Sequence, residues 1–156
     1  RVSVVIVSRH RPALLRRCLL GLTQQDLPGF EVVVVADPAG IASTQGFSVK
    51  TVGFDEPNIS AARNLGIGQA GGEVVAFIDD DAVPEPTWLS RLTAPFTDPA
   101  VVASTGFVRK RVPQGFTLLQ GQLGVGLGHL HPYTFIADRI GVDFDFSTCL
   151  LSEYFF

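Results

Sequence analysis

Val74-Val75-Ala76-Phe77-Ile78 run without interruption into Asp79-Asp80-Asp81. A strand with one solvated face alternates apolar and polar residues. An unbroken apolar run, here opened by Gly71-Gly72, fits a strand buried on both faces of a parallel sheet. The three carboxylates then fall at its C-terminal end, where ligands bind in open α/β sheets. Adjacent acids repel one another and cost stability. They are tolerated most easily when something positive shares the site, and a divalent cation is the simplest such group.

The preceding chain supplies partners for such a strand. Val2 to Val7 is rich in β-branched residues and predicts a buried strand. Ser8 to Pro12 predicts a polar loop, with Arg11 or His10 near the cap of a helix that Pro12 opens. Over Ala13 to Gln25, Leu14, Leu15, Cys18, Leu19 and Leu22 recur at helical spacing, with Arg16 and Arg17 opposite. Pro28-Gly29 is a turn. Phe30 to Ala36 predicts a second buried strand, ending in Asp37-Pro38-Ala39-Gly40, and Phe47 to Val52 a short third one. Asn58 or Ser60 caps a helix that Gly71-Gly72 closes. Pro84 to Phe96 predicts a helix with Trp88, Leu89 and Leu92 inward, and Val101 to Val108 a further strand. Strand and helix thus alternate over the first hundred residues, the pattern of an α/β layered fold with a mainly parallel sheet. From Arg109 the pattern weakens, and Gln120 to Gly128 carries four glycines.

At 156 residues one domain is expected. With 46% hydrophobic residues the chain can bury a core, which argues against disorder. A net charge of −3 and only 17% charged residues argue against a nucleic-acid partner, which would favour a basic face. Cys18 and Cys149 lack metal-ligand spacing and sit among leucines, as buried free thiols in a reducing compartment would; a disulfide is the alternative. No signal peptide is visible. The uncharged run from Val112 to Ala137 is long enough to span a bilayer, but its Pro, Gln, Gly and His content speaks against a transmembrane segment. The chain begins at Arg1, contains no Met and ends on Tyr154-Phe155-Phe156, so a fragment or an incompletely observed chain is expected.

If the second and fourth strands are neighbours, Asp37 and Asp79 to Asp81 converge on one crevice. Asp37 would then accept hydrogen bonds from a base or ribose. Asp79 to Asp81 would hold Mg²⁺ or Mn²⁺ through carboxylate oxygens, with phosphate oxygens completing the shell. Such a cation offsets charge on a diphosphate leaving group. Arg63, on the helix before the acidic strand, offers a fork of donors to the same diphosphate.

These segments, in this order, resemble the family 2 glycosyltransferases of the GT-A fold. The resemblance is carried by Val2 to Val7, the leucine-rich helix to Gln24-Gln25, and Phe30 to Asp37. It continues through Asn58-Ile59-Ser60-Ala61-Ala62-Arg63-Asn64-Leu65-Gly66 and Ala70 to Asp81, then Pro84 to Leu89. It covers about residues 1 to 108, and it implies a Rossmann-like three-layer sandwich around a mainly parallel sheet. Residues 1–108 would be the nucleotide-sugar-binding part of a single GT-A domain, and 109–156 the start of its acceptor side. It implies a metal-dependent, hexosyltransferase-type glycosyltransferase. A sugar would pass from a nucleoside-diphosphate sugar to a glycan, lipid or protein acceptor, usually with inversion, in cell-envelope polysaccharide synthesis. The enzyme would work in the cytoplasm or at the inner face of the membrane. By the same resemblance Ser8, Asp37, Arg63, Asp79 and Asp80 bind the nucleotide sugar, and Asp81 with Asp79 holds the Mn²⁺ or Mg²⁺ of the DxD motif.

Two departures stand out. The family often has two acids at the second strand end, where this chain has Ala36-Asp37-Pro38. Its acceptor-activating base belongs to a downstream acidic pair, and Asp138, Asp143, Asp145 and Glu153 match none. The missing base leaves room for a domain that binds a nucleotide sugar without turnover. A haloacid dehalogenase-like phosphatase is a further alternative, with Asp79 as nucleophile and Asp81 as acid/base. Its motif normally opens the domain, however, and here two or three strands precede it. A nicotinamide-binding domain lacks its G-x-G-x-x-G. Plainer roles also exist for each residue: a solvated loop for Asp79 to Asp81, a cap before Pro38 for Asp37, an exposed helix position for Arg63. Trp88 would be core, Arg109-Lys110-Arg111 a solvated patch, and His129 and His131 unconnected with metal.

Overall fold

The computed structural model describes residues 1–106 and the strand segments 108–112, 115–119 and 134–137. Cys149, His129, His131, Asp138, Asp143, Asp145 and Glu153 lie outside the described residues. Four parallel strands form the centre: β1 (Val2–Ser8), β2 (Glu31–Ala36), β3 (Lys50–Gly53) and β4 (Val74–Phe77). Further on come β5 (Ala103–Thr105), β6 (Val108–Val112), β7 (Gly115–Leu119) and β8 (Thr134–Ala137). The six-stranded sheet has the order β3-β2-β1-β4-β8-β5, with β8 antiparallel to both of its neighbours. A separate antiparallel pair joins β6 and β7. The mainly parallel α/β sandwich expected from the sequence is the fold observed.

Both faces of the sheet are covered, which is why the middles of its central strands are continuously apolar. Val4, Ile6, Val32 and Val34 join Leu15, Cys18, Leu19 and Leu22 of α1 (Pro12–Leu22) in one core. Leu89 and Leu92 of α4 (Trp88–Thr93) belong to the same core. Val5, Val33 and Phe77 face the other way, beneath Ile67 of α3 (Ile59–Gln69). There α3 lies very close to the sheet: a Cβ on Gly66 would stand 2.4 Å from Val5 Cγ1 and 3.2 Å from Val35 Cγ2. Asn58 caps α3 as the sequence predicts, its Oδ1 accepting the Ala61 N–H at 3.0 Å.

Four elements differ from the sequence-based expectation. Pro38 opens a short helix, α2 (Pro38–Ser43), where no element was expected, using its fixed φ at the first helical position. The third strand begins at Lys50, because Phe47 and Val49 pack against the core instead. The helix expected from Pro84 starts only at Trp88. The backbone before it is held by α1's end: Gln25 Nε2 donates to the Glu85 carbonyl (2.8 Å), and the Asp26 N–H to the Pro86 carbonyl (2.9 Å). Pro95, lacking an N–H, then tightens the chain into a 3₁₀ turn over Ala94–Thr97. The strand expected over Val101 to Val108 is two, β5 and β6, interrupted at Gly106.

The amino ends of the four parallel strands carry a polar tie. Glu31 accepts from Ser3 Oγ (2.6 Å) and the Gly71 N–H (2.6 Å), and pairs with Lys50 Nζ at 2.8 Å. Ser3 Oγ also accepts the Gly72 N–H at 2.8 Å. A Cβ on Gly72 would come within 2.8 Å of the Arg1 carbonyl and the Ser3 N, so only glycine fits. These bonds hold Glu31 well below the usual carboxylate range, at about 2, the Lys50 contact contributing most.

Candidate functional site

Strand order places the site. From β1 the chain moves outward through β2 to β3, then returns past β1 to β4. The direction of winding reverses between β1 and β4, and in open α/β sheets this is where a crevice opens beyond the carboxyl ends. β1 and β4 pair with Val5 opposite Phe77. Continuing that register by three residues brings Asp80 level with Ser8. The side chains meet there: Ser8 Oγ donates to Asp80 Oδ2 at 2.7 Å.

The three carboxylates have three different environments. Asp79 is partly exposed, and its Oδ1 lies 3.3 Å from Nη2 of Arg63, which reaches up from α3. Arg63 is buried, so its role as a merely exposed helix arginine is ruled out. Asp80 is fully buried. Its Oδ1 forms an ion pair with Arg11 Nη2 at 3.0 Å but accepts no aligned hydrogen bond. Asp81 projects outward, its side chain 55% exposed and 3.7 Å from Arg11 Nη1. Arg17 Nη2 donates to the Asp81 carbonyl at 2.9 Å.

Burial pushes the Asp79 carboxyl up; Arg63 opposes this, and the neighbouring acids reinforce it. Burial also raises Asp80, against the Ser8 hydrogen bond and the Arg11 charge. Desolvation lowers Arg63, with Asp79 acting to keep it charged. The field of the acids reaches the core beneath. Burial foremost, then Asp80, Asp79 and Asp81, push the Cys18 thiol up to about 12. The expectation that Cys18 is a buried free thiol holds.

Asp37, at the end of β2, is buried and faces the β1–α1 loop. Its Oδ1 accepts the His10 N–H at 3.2 Å, and its Oδ2 lies 3.4 Å from His10 Nδ1. Burial raises this carboxyl, but the His10 and Gly40 backbone amides and the His10 ring outweigh it and hold it low. His10 has φ +58°, a left-handed conformation that costs a non-glycine residue about 1–2 kcal/mol. Its Nε2 approaches Asp55 Oδ1 at 3.6 Å, and Arg9 Nε donates to the same oxygen at 2.9 Å.

A cavity of about 220 Å³ opens beside these residues, lined in part by Ser8, Arg9, Arg11, Phe54, Glu56 and Asn58. Ser8 and Arg11 therefore belong both to its wall and to the Asp80 cluster. Neither Asp37 nor Arg63 lines it. Of the residues singled out in sequence, Ser8, Asp79, Asp80 and Asp81 meet at the β1–β4 junction, Arg63 joins them through Asp79, and Asp37 stands one loop away.

Arg11, His10 and Asp55 were not picked out as site residues. A signal for Arg11 did exist: a basic loop after the first strand must lie at the same sheet end as the acids after the fourth. Among the described residues no three His, Cys, Asp or Glu side chains are grouped to hold a metal on their own. Asp81 and Asp79 do offer two accessible carboxylates on hard oxygen. That donor set fits Mg²⁺ or Mn²⁺, which bind through one or two carboxylates and complete their shell with phosphate and water.

The family model for glycosyl transferase family 2 matches residues 3–151. The chain belongs to this family. A curated relative, glycosyltransferase AglE of Haloferax volcanii, is 32% identical in a 127-residue alignment that covers 74% of this chain and 42% of that protein. The chain thus spans about two fifths of that relative's length. S. aureus TarS 1-349 superposes with a TM-score of 0.68 at 20% identity, covering 88% of this chain and 47% of that one. A structure of TarS 1-349 with UDP-GlcNAc matches at 0.64. Mannosyltransferase PcManGT from Pyrobaculum calidifontis, solved with GDP-Man and Mn²⁺, matches at 0.58 and 24% identity over 66% of this chain and 34% of that one. The fold is that of the GT-A glycosyltransferases. No helix among the described residues is long and apolar enough to cross a membrane.

Proposed function

We propose that the protein is a glycosyltransferase that takes a sugar from a nucleoside-diphosphate donor, with cation assistance and inversion at the anomeric carbon. The observation that carries this is the joining of a cavity to an acidic strand end at the β1–β4 winding reversal, through Ser8 and Arg11. The nucleoside sits in the cavity, between Phe54, Asn58 and the β1–α1 loop. The diphosphate extends towards Asp79 and Asp81.

Asp81 and Asp79 hold Mn²⁺ or Mg²⁺, which offsets the charge that develops on the departing diphosphate. Arg63 favours the ionised form of Asp79 against the burial that raises its carboxyl, and so favours its oxygens as ligands. Asp80 is enclosed and acts on the site through Ser8 and Arg11. Asp37 fixes the left-handed turn at His10 and thereby the course of the loop on the cavity's rim. Among the described residues none is assigned to deprotonating the acceptor. The acceptor belongs to the classes of glycan, lipid or protein, and the setting is cell-envelope polysaccharide synthesis in the cytoplasm or at the inner membrane face.

Calorimetry of UDP, GDP and dTDP sugars, each with Mn²⁺ or Mg²⁺, tests this. Cation-dependent binding of at least one donor is expected, lost in Asp81→Ala. Failure of the wild type to bind any of them, or undiminished binding by Asp81→Ala, would count against it. Phosphatase activity that disappears in Asp79→Asn, without nucleotide binding, would instead indicate the dehalogenase-like chemistry.

A further inference from the structure

We propose that Arg11 is the side chain that contacts the donor's diphosphate, and that Asp80 is the positioning residue that aims it. This rests on the nucleotide-sugar function above and adds the group that bridges cavity and acids. Three arginines approach the carboxylates and one more lines the cavity, and their surroundings separate them. Arg63 is buried and committed to Asp79. Arg17 donates to the Asp81 backbone from α1, away from the cavity lining. Arg9 lines the cavity, but its ion pair is with Asp55 and not with the acidic strand end. Arg11 alone among these both lines the cavity and reaches the acidic strand end.

Its mounting suits such a role. The Arg11 backbone is pinned at the start of α1, where its carbonyl accepts the Leu14 and Leu15 N–H groups, both at 3.1 Å. Its side chain makes no cap bond and is half exposed. One terminal nitrogen sits 3.0 Å from the buried Asp80, while the other is only loosely paired, at 3.7 Å, with the exposed Asp81. A guanidinium carries five donors in a rigid fork, so the Asp80 contact leaves others free to take phosphate oxygens in a bidentate manner. A diphosphate running from the cavity to Asp79 and Asp81 must pass this fork. It replaces Asp81 as the second acceptor and leaves the Asp81 carboxylate to the cation. Asp80 cannot touch the ligand, being fully enclosed, and acts by holding the fork in place with a charge that burial leaves little screened.

The test compares UDP, GDP and dTDP with uridine, guanosine and thymidine, by calorimetry and ligand-observed NMR, in the wild type, Arg11→Ala, Arg11→Lys and Asp80→Asn. Thermal unfolding checks that each variant folds. Arg11→Ala should weaken whichever diphosphate binds by about tenfold or more while changing nucleoside affinity less than about twofold. Arg11→Lys, which keeps the charge without the fork, should fall between, and Asp80→Asn should weaken the diphosphate selectively. Diphosphate affinity unchanged in Arg11→Ala, or an equal fall for nucleoside and diphosphate, overturns the proposal and leaves the function standing. A wild type that binds none of the three diphosphates overturns both.

Discussion

Gly66→Ala tests whether the depth of α3 on the sheet sets the site. The new methyl would stand 2.4 Å from Val5 Cγ1 and 3.2 Å from Val35 Cγ2. Both neighbours are short β-branched side chains on buried central strands, so neither can swing aside. Overpacking of this kind costs about 1–3 kcal/mol, and so short a contact belongs in the upper half of that range. Alanine's better helix propensity returns at most about 1 kcal/mol. The net loss is about 1–2 kcal/mol. With a urea m-value of about 2 kcal/mol/M, the unfolding midpoint should drop by about 0.5–1 M. Gly68→Ala is the control, because nothing lies within 4 Å of a Cβ there on the same helix. It should be neutral or slightly stabilising. Arg63 sits one turn before Gly66 on the same helix face, so lifting α3 also withdraws Arg63 from Asp79. Cation-dependent nucleotide binding should therefore weaken in folded Gly66→Ala and not in Gly68→Ala. Equal midpoints for the two variants would refute the close approach, and a destabilised Gly66→Ala with normal binding would refute its link to the site.

Other consequences follow from the charges. Glu31 falls from 4.5 to about 2 on folding, so its contribution is complete above pH 4.5 and disappears as the pH drops towards 2. That fall corresponds to about 3 kcal/mol. Lys50 and Arg1 are more than half exposed, so screening leaves about 1–2. Urea unfolding of Glu31→Gln should show that loss at pH 7 and a flatter stability profile below pH 4.5; a parallel profile would contradict the network. Arg63→Ala leaves Asp79 without its paired charge and should lower stability by about 2–3 kcal/mol in denaturant titrations. In a Cys149→Ser background, Cys18 should resist Ellman's reagent at pH 8 until the protein unfolds, given a thiol pushed up to about 12. Rapid labelling of the native protein would show the thiol to be accessible.

The parts of the fold legible in the sequence were those fixed by local chemistry. Continuous apolar runs marked β1, β2 and β4, since only a strand covered on both faces needs them. Asn58 marked the α3 start, because its side chain caps locally. What escaped was set by distant partners. The loop before α4 stays open because Gln25 and Asp26 bond its backbone, about sixty residues away in the chain. Phe47 leaves the third strand for the core, with Arg16 stacked 5.2 Å from its ring. Arg63 read equally well as an exposed helix residue, because burial beneath Asp79 follows from how closely Gly66 lets α3 approach, and no periodicity reports that distance.

The site shows the same division. Three consecutive aspartates are legible as an acidic strand end, but the sequence treats them as equivalent. Their place beyond β4 separates them: the residue beside Ser8 turns into the protein, and the turn there, closed by the Ala82 N–H on the Asp79 carbonyl at 3.1 Å, leaves Asp81 facing outward. Asp80 is thereby buried between Ser8 and Arg11, while Asp79 and Asp81 stay accessible to ligands. The inward residue needs a cation from the protein itself, since a buried carboxylate without one would take up a proton and cease to orient anything. Arg11 meets that need from the loop that follows β1. The contact between Ser8 and Asp80 just beyond the β1–β4 pairing thus also decides which acid is structural, which two are free to bind, and which arginine faces the cavity.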